Sequence, residues 1–165
     1  MHSPPRSSWL VGVTLLLAAL IPGDAHAQTV AQTLTFAINA INQIGFTGAP
    51  ALTVSTAAAG STPTSVTDAT ASWAVTTNQS GAKITASIPT AMPAGLTLSV
   101  NLTAPVGAIS AGYRSLGVTA TDLVTGITKV AQGSLGVVYL LDATPAAGVI
   151  SSATRVVTYT ITGGT

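Results

Sequence analysis

Residues 96–104 read LTLSVNLTA, and they alternate apolar side chains with Thr, Ser and Asn without a break. A period of two is typical of a strand that buries one face and exposes the other. Valine, isoleucine and threonine favour strands because a β-branched side chain fits a pleated surface better than a helical turn. This stretch therefore predicts a half-buried strand in the middle of the chain.

The same alternation extends outward on both sides. It predicts a first strand over residues 33–46 with a bulge near Ile41, a short strand at 52–54, and a hairpin over 71–88 around the turn Asn78-Gln79-Ser80-Gly81. Further strands are predicted at 116–120, 135–143 and 155–161. Residues 122–132 fit either a strand edge or a short helical turn.

These segments predict an all-β fold of about seven to nine strands. Their connections are too short for parallel crossovers, so the pairing is expected to be antiparallel. Two such sheets bury their apolar faces against each other, which favours a single immunoglobulin-like Greek-key sandwich. An up-and-down barrel or a jelly roll is the alternative. Trp73 is the expected core tryptophan.

Residues 1–27 have the pattern of a cleaved signal peptide. Arg6 precedes an apolar run over residues 9–21, and Ala25-His26-Ala27 supplies the small residues that a signal peptidase recognises. The run is shorter than the roughly 20 residues that cross a bilayer. We therefore expect export to the periplasm, the cell surface or the medium, with residues 28–165 forming one domain and no membrane span.

The composition of residues 28–165 narrows the chemistry. This part of the chain has no His, Cys or Glu, and its only carboxylate side chains are Asp68, Asp122 and Asp142. A Ser-His-Asp triad and thiolate metal sites are thus excluded there. The net charge of the whole chain is +1, which supplies no basic surface for nucleic acid. We predict a non-catalytic protein with no cofactor, no metal site and no nucleic-acid partner.

Three groups of residues have both a functional and a structural interpretation. The three Asp residues lack the spacing of a Ca²⁺ loop and are expected to be solvated turn or cap residues, while Lys83 and Lys129 leave a Ser–Lys dyad formally open. The aromatic residues could form a platform for sugars, but they are expected in the core; they are Trp73, Tyr113, Tyr139 and Tyr159.

Residues 28–40 form an apolar-alternating segment at the start of the expected exported chain. A terminal strand of this kind pairs within its own sheet or completes the sheet of a neighbour. We expect pairing within its own sheet.

The leader, the segment TLTFAI at residues 33–38, the strand at 96–104 and VVTYTIT at 156–162 together resemble small secreted bacterial β-sandwich proteins of fimbrial-subunit type. The chain lacks the Cys pair and the penultimate Tyr of subunits assembled by the chaperone–usher route. The resemblance implies a structural or adhesive protein that associates with itself or with other surface proteins. A carbohydrate-binding module, with glycan as partner, is the alternative.

Overall fold

The computed structural model describes residues 26–165, which form nine strands and one 3-10 turn. The elements are β1 (Asn42–Thr47), β2 (Val66–Thr77), β3 (Ala82–Ser87), β4 (Leu96–Leu102), β5 (Ile109–Ser110), β6 (Arg114–Ser115), β7 (Thr121–Ile127), β8 (Val130–Ala143), the turn η1 (Pro145–Ala147) and β9 (Thr158–Thr162). The predicted all-β class and the strand count are confirmed.

The strands form two antiparallel sheets. The five-stranded sheet has the order β1-β2-β8-β4-β6, and the four-stranded sheet has the order β5-β7-β3-β9. Neighbours in each sheet are mostly distant in sequence, so the chain crosses between the sheets several times. β1 and β9 are the edge strands of different sheets, and they face each other across one side of the sandwich.

The core lies between the inward faces of the two sheets. Trp73 in β2 is 1% exposed, and its indole Nε1 donates a hydrogen bond of 3.1 Å to the backbone oxygen of Thr103. The other fully buried large side chains come from both sheets and from two positions just outside the strands, Ile88 and Pro105; those in strands are Val75, Ile84, Val100, Leu102, Leu123, Val124, Ile127 and Val137. Burial alternates most regularly along β3, where Ala82, Ile84 and Ala86 are buried, because successive side chains point to opposite faces.

The predicted hairpin over residues 71–88 is wrong, although its turn is correctly placed. β2 pairs with β1 and β8, whereas β3 pairs with β7 and β9. The turn after β2 thus carries the chain from one sheet to the other. Trp73 and Ile84 are both core residues, and an alternating pattern is the same whether two strands lie side by side or face to face.

Two shorter predictions also need correction, because residues 52–54 and 116–120 form no strand. Of the two alternatives left open for residues 122–132, the strand is the one observed, since residues 121–127 form β7. Leu116 is buried, but it bonds to the sheet only through its backbone N–H, which donates to Leu98. An alternating sequence pattern can therefore arise where single residues such as Leu116 are buried, even though the segment pairs with no neighbouring strand.

The expectation that residues 28–40 pair within their own sheet is wrong. None of residues 26–41 belongs to a strand, and the ladder begins only at Asn42. β2 already has two neighbours, so pairing with the outer edge of β1 would require the chain to reverse just before β1. Residues 37–41 read AINAI and contain no Gly or Pro for such a turn.

The predicted signal peptide lies almost entirely outside the described residues. Within residues 26–165, no helix has the length and apolar character that would allow it to cross a bilayer.

Candidate functional site

The N-terminal segment, residues 28–38, belongs to no strand and exposes large apolar side chains at even-numbered positions. Val30, Leu34, Phe36 and Ile38 are between 80% and 86% exposed. The segment carries no charged side chain. Large apolar side chains in a row are rarely left in water unless they bind something, and an unpaired extended segment is a template for strand pairing.

Asn78 fixes the point where this segment joins the sandwich. Its Nδ2 donates to the backbone oxygen of Asn39 at 2.7 Å, and its Oδ1 accepts from the backbone N–H of Ile41 at 2.8 Å. Asn78 directly follows β2, and Asn42 pairs with Thr77 in the ladder. The N-terminal segment is therefore attached at the end of the sandwich where β2 terminates.

An open-edge groove of about 580 Å³ lies between residues 51–57, which continue from β1, and residues 149–157, which lead into β9. Leu52 and Val54 are half-buried along one wall, and Met92 and Leu96 line the groove between the walls. Ile150 and Arg155 line the other wall, and Ser, Thr and Ala make up much of the remainder. The groove thus separates the edges of two different sheets.

Residues 52–55 and 149–156, which form the walls of the open-edge groove, belong to no strand ladder. Among the described residues, none of them makes a backbone-to-backbone hydrogen bond, and the Thr154 oxygen accepts only from the Arg155 side chain. The first wall is held at its ends, where Ala51 N–H donates to Asp68 Oδ2 at 2.9 Å and Thr64 N–H donates to the Thr56 oxygen at 2.8 Å. The groove is therefore bordered by free backbone donors and acceptors.

Arg155 occupies an inward position on the second wall. Its Nη1 donates to the oxygen of Thr154 at 2.8 Å and its Nη2 to the oxygen of Ala91 at 3.5 Å. Its Nε is buried and has no hydrogen-bond partner among the described residues. A buried donor without an acceptor is costly, so Arg155 Nε is an unsatisfied hydrogen-bond donor on this wall.

An aromatic contact closes the rest of this side of the sandwich. Phe46 of β1 stacks on Tyr159 of β9 with ring centroids 3.8 Å apart, and Phe46 lies 6.0 Å from Trp73. The Tyr139 and Tyr159 hydroxyls share a hydrogen bond of 2.7 Å. Burial, together with this bond, raises the pKa of Tyr159 well above its ordinary value. The open-edge groove therefore covers only one end of the side between β1 and β9.

The structure gives each of the three Asp residues a separate local partner. Asp68 accepts hydrogen bonds from Thr70 and Ala51, and these bonds lower its pKa. Asp122 pairs with Lys83 at 3.0 Å, and Asp142 accepts from the hydroxyl of Ser65. Within residues 26–165, no three His, Cys, Asp or Glu residues form a group that could hold a metal ion.

The remaining candidates occupy structural positions. The Lys83 ammonium donates to both Asp122 oxygens, and Lys129, directly before β8, has a left-handed backbone with a φ of 43°. Trp73 and Tyr139 are buried, Tyr159 is partly buried, and Tyr113 is 47% exposed. The expectation that the aromatic residues belong to the core is confirmed for Trp73 and Tyr139.

Sequence reasoning missed the open-edge groove. Its two walls are about 100 positions apart in the chain, and neither carries a recognisable motif. The only local signals are the half-buried alternation of Leu52 with Val54 and the single Arg155 in an apolar-alternating run. Comparison with protein-family models, curated proteins and solved structures found no match.

Proposed function

We propose that this protein is a non-catalytic structural or adhesive protein, exported to the cell surface or beyond it, whose copies associate by edge-strand pairing. The observation that carries this proposal is the N-terminal segment, in which four large apolar side chains are at least 80% exposed and no backbone group belongs to a ladder. Strand addition to an exposed sheet edge supplies backbone hydrogen bonds and side-chain burial together.

The surface of the sandwich is compatible with this role. Residues 28–165 carry only seven charged side chains, and the rows facing solvent are rich in Thr and Ser. Copies of such a surface repel each other weakly, since long-range repulsion scales with net charge. Close approach of one copy to another is therefore not opposed by electrostatics.

The experiment removes the N-terminal segment. Sedimentation velocity is measured for the chain starting at Gln28 and for the same chain without residues 28–38. We expect concentration-dependent association of the first chain and its loss in the second. The pair Leu34→Asp and Phe36→Asp should abolish association, whereas the control pair Thr33→Asp and Thr35→Asp, on the opposite face, should retain most of it. If the chain starting at Gln28 stays monomeric at all concentrations, the proposal is contradicted.

Carbohydrate binding, the alternative function, receives no specific support from the aromatic residues. A stacking platform needs an exposed ring face, and Trp73 is 1% exposed. Tyr113 retains exposure, but it is a single residue outside the open-edge groove.

A further inference from the structure

We propose that the open-edge groove binds a small amphipathic carboxylate, a molecule with an alkyl body and one terminal carboxylate group. Arg155 would hold the carboxylate, and the apolar side chains between the two walls would cover the alkyl body. The inference goes beyond the association proposed above, because it concerns other residues and needs only one copy of the chain.

The groove carries one positive charge that the protein does not neutralise. Arg155 is the single charged residue among the described residues that line the groove. Within residues 26–165 the single ion pair joins Lys83 to Asp122, while the Asp68 and Asp142 carboxylates accept hydrogen bonds from other residues. An arginine stays protonated at any ordinary pH, and a charge that is partly removed from water is usually paired. An anion is therefore the expected complement of this groove.

The guanidinium group of Arg155 is held in place by its own hydrogen bonds. Its Nη1 donates to the oxygen of Thr154 and its Nη2 to the oxygen of Ala91. Each of these nitrogens has a second N–H, for which the described residues supply no acceptor. Because Nε is buried, a ligand would bind to Nη1 and Nη2. Two N–H groups on a planar fork suit the two oxygens of a carboxylate.

The rest of the groove suits an apolar body of limited size. Leu52, Val54, Met92 and Leu96 line the groove and are half-buried, so each still has apolar surface to cover. The volume of about 580 Å³ lies within the roughly 300–1,000 Å³ that is usual for small-molecule sites. No aromatic residue belongs to the described lining, which removes the stacking face that a sugar would need. An alkyl chain is the better match.

The experiment compares octanoate with octanol, which has the same chain length and no charge. Binding of each probe to the chain starting at Gln28 is measured by isothermal titration calorimetry, below the concentration at which octanoate forms micelles. We expect octanoate to bind about ten-fold or more tightly than octanol, because only octanoate makes charge-assisted hydrogen bonds to the guanidinium. Added NaCl should weaken the binding of octanoate and leave that of octanol unchanged.

Substitutions of arginine assign the effect to one residue. Arg155→Met should weaken octanoate binding about ten-fold and leave octanol binding unchanged, and Arg155→Lys should fall between, because it keeps the charge but loses the fork. Arg114→Met is the matched control, since Arg114 is exposed on β6, at the other edge of the five-stranded sheet. In the unsubstituted chain, octanoate should shift the amide NMR signals of residues 52–55 and 149–155, which tests the site even if Arg155→Met unfolds.

Equal affinities for octanoate and octanol, or equal effects of Arg155→Met and Arg114→Met, would overturn the inference. The N-terminal segment also exposes apolar side chains, so octanoate is tested on the pair Leu34→Asp and Phe36→Asp as well. Binding should persist there, and its loss would place the ligand on the segment instead. Failure of this inference is distinct from failure of the proposed function. A chain that associates but does not bind octanoate refutes the first alone, and a monomer that binds octanoate refutes the second alone.

Discussion

Tyr159 connects the two sheets on the side where the sandwich is otherwise open. Its ring stacks on Phe46 of the opposite sheet, and its hydroxyl bonds to Tyr139. Because β1 and β9 are edge strands, each lacks a second ladder neighbour. The aromatic contact therefore replaces part of the cohesion that pairing supplies elsewhere.

The raised pKa of Tyr159 predicts that the folded protein loses stability at alkaline pH. Its pKa is raised in the folded protein, so the unfolded chain releases this proton first as the pH rises above about 10. The contribution of the Tyr159 hydroxyl to the free energy of unfolding is fully present below pH 10, and it falls by about 1.4 kcal/mol for each pH unit above that value. Urea unfolding at pH 9 and pH 11 should show that wild type loses about 1 kcal/mol more than Tyr159→Phe. Equal losses in the two proteins would show that this hydroxyl ionises freely when folded.

At the scale of elements, the turn between β2 and β3 decides the pairing of both strands. Gly81 has a φ of +76°, a conformation that residues with a side chain rarely adopt. The backbones of Ser80 and Thr165 also bond to each other here, at 3.0 and 3.1 Å, which attaches the end of the chain to the same turn. The turn thus carries the chain between sheets and holds the segment that follows β9.

Gly81→Ala is therefore expected to destabilise the protein by about 1–2 kcal/mol, since the left-handed backbone is strained for Ala. Gly45→Ala in β1 is the matched control. Gly45 has no positive φ and no atom near its missing Cβ, so alanine there should be neutral or stabilise by about 0.5 kcal/mol. The comparison is made from urea midpoints. Equal effects of the two substitutions would argue against strain at this turn.

For the whole molecule, the strand addition proposed above determines the kind of assembly. The N-terminal segment of one copy would pair with a sheet edge of another, so the donating and accepting surfaces differ and a contact between two copies leaves one segment and one edge free. Such a contact is heterologous, and repeated association produces an open chain or a ring rather than a closed dimer.

Mass measurements should therefore show a ladder of species. We expect dimers, trimers and larger species whose proportions grow with concentration, seen by sedimentation velocity. Leu34→Asp added in substoichiometric amounts should cap the chains, because such a copy accepts a strand but does not donate one. Saturation at a dimer would point to a two-fold symmetric contact instead.

The sequence alone predicted the class of fold well, because alternation is a local property of each strand. The stretch at 96–104 became β4, the turn residues at 78–81 are a turn, and Trp73 is in the core. The sequence did not predict which strands pair with each other. Residues 71–88 suggested a hairpin, and residues 33–40 suggested a strand paired within its own sheet. A two-residue period shows which face of a strand is apolar. It does not show which other strand or sheet covers that face.

The amino-acid sequence by itself determined that this chain forms antiparallel strands with one buried face, and that residues 28–165 lack His, Cys and Glu. Only the tertiary structure decided which strands are neighbours, that two distant segments border one groove, and that the N-terminal apolar face is left uncovered. The reason is physical. Side-chain periodicity acts over a few residues, whereas sheet order and groove formation depend on contacts between residues far apart in the chain.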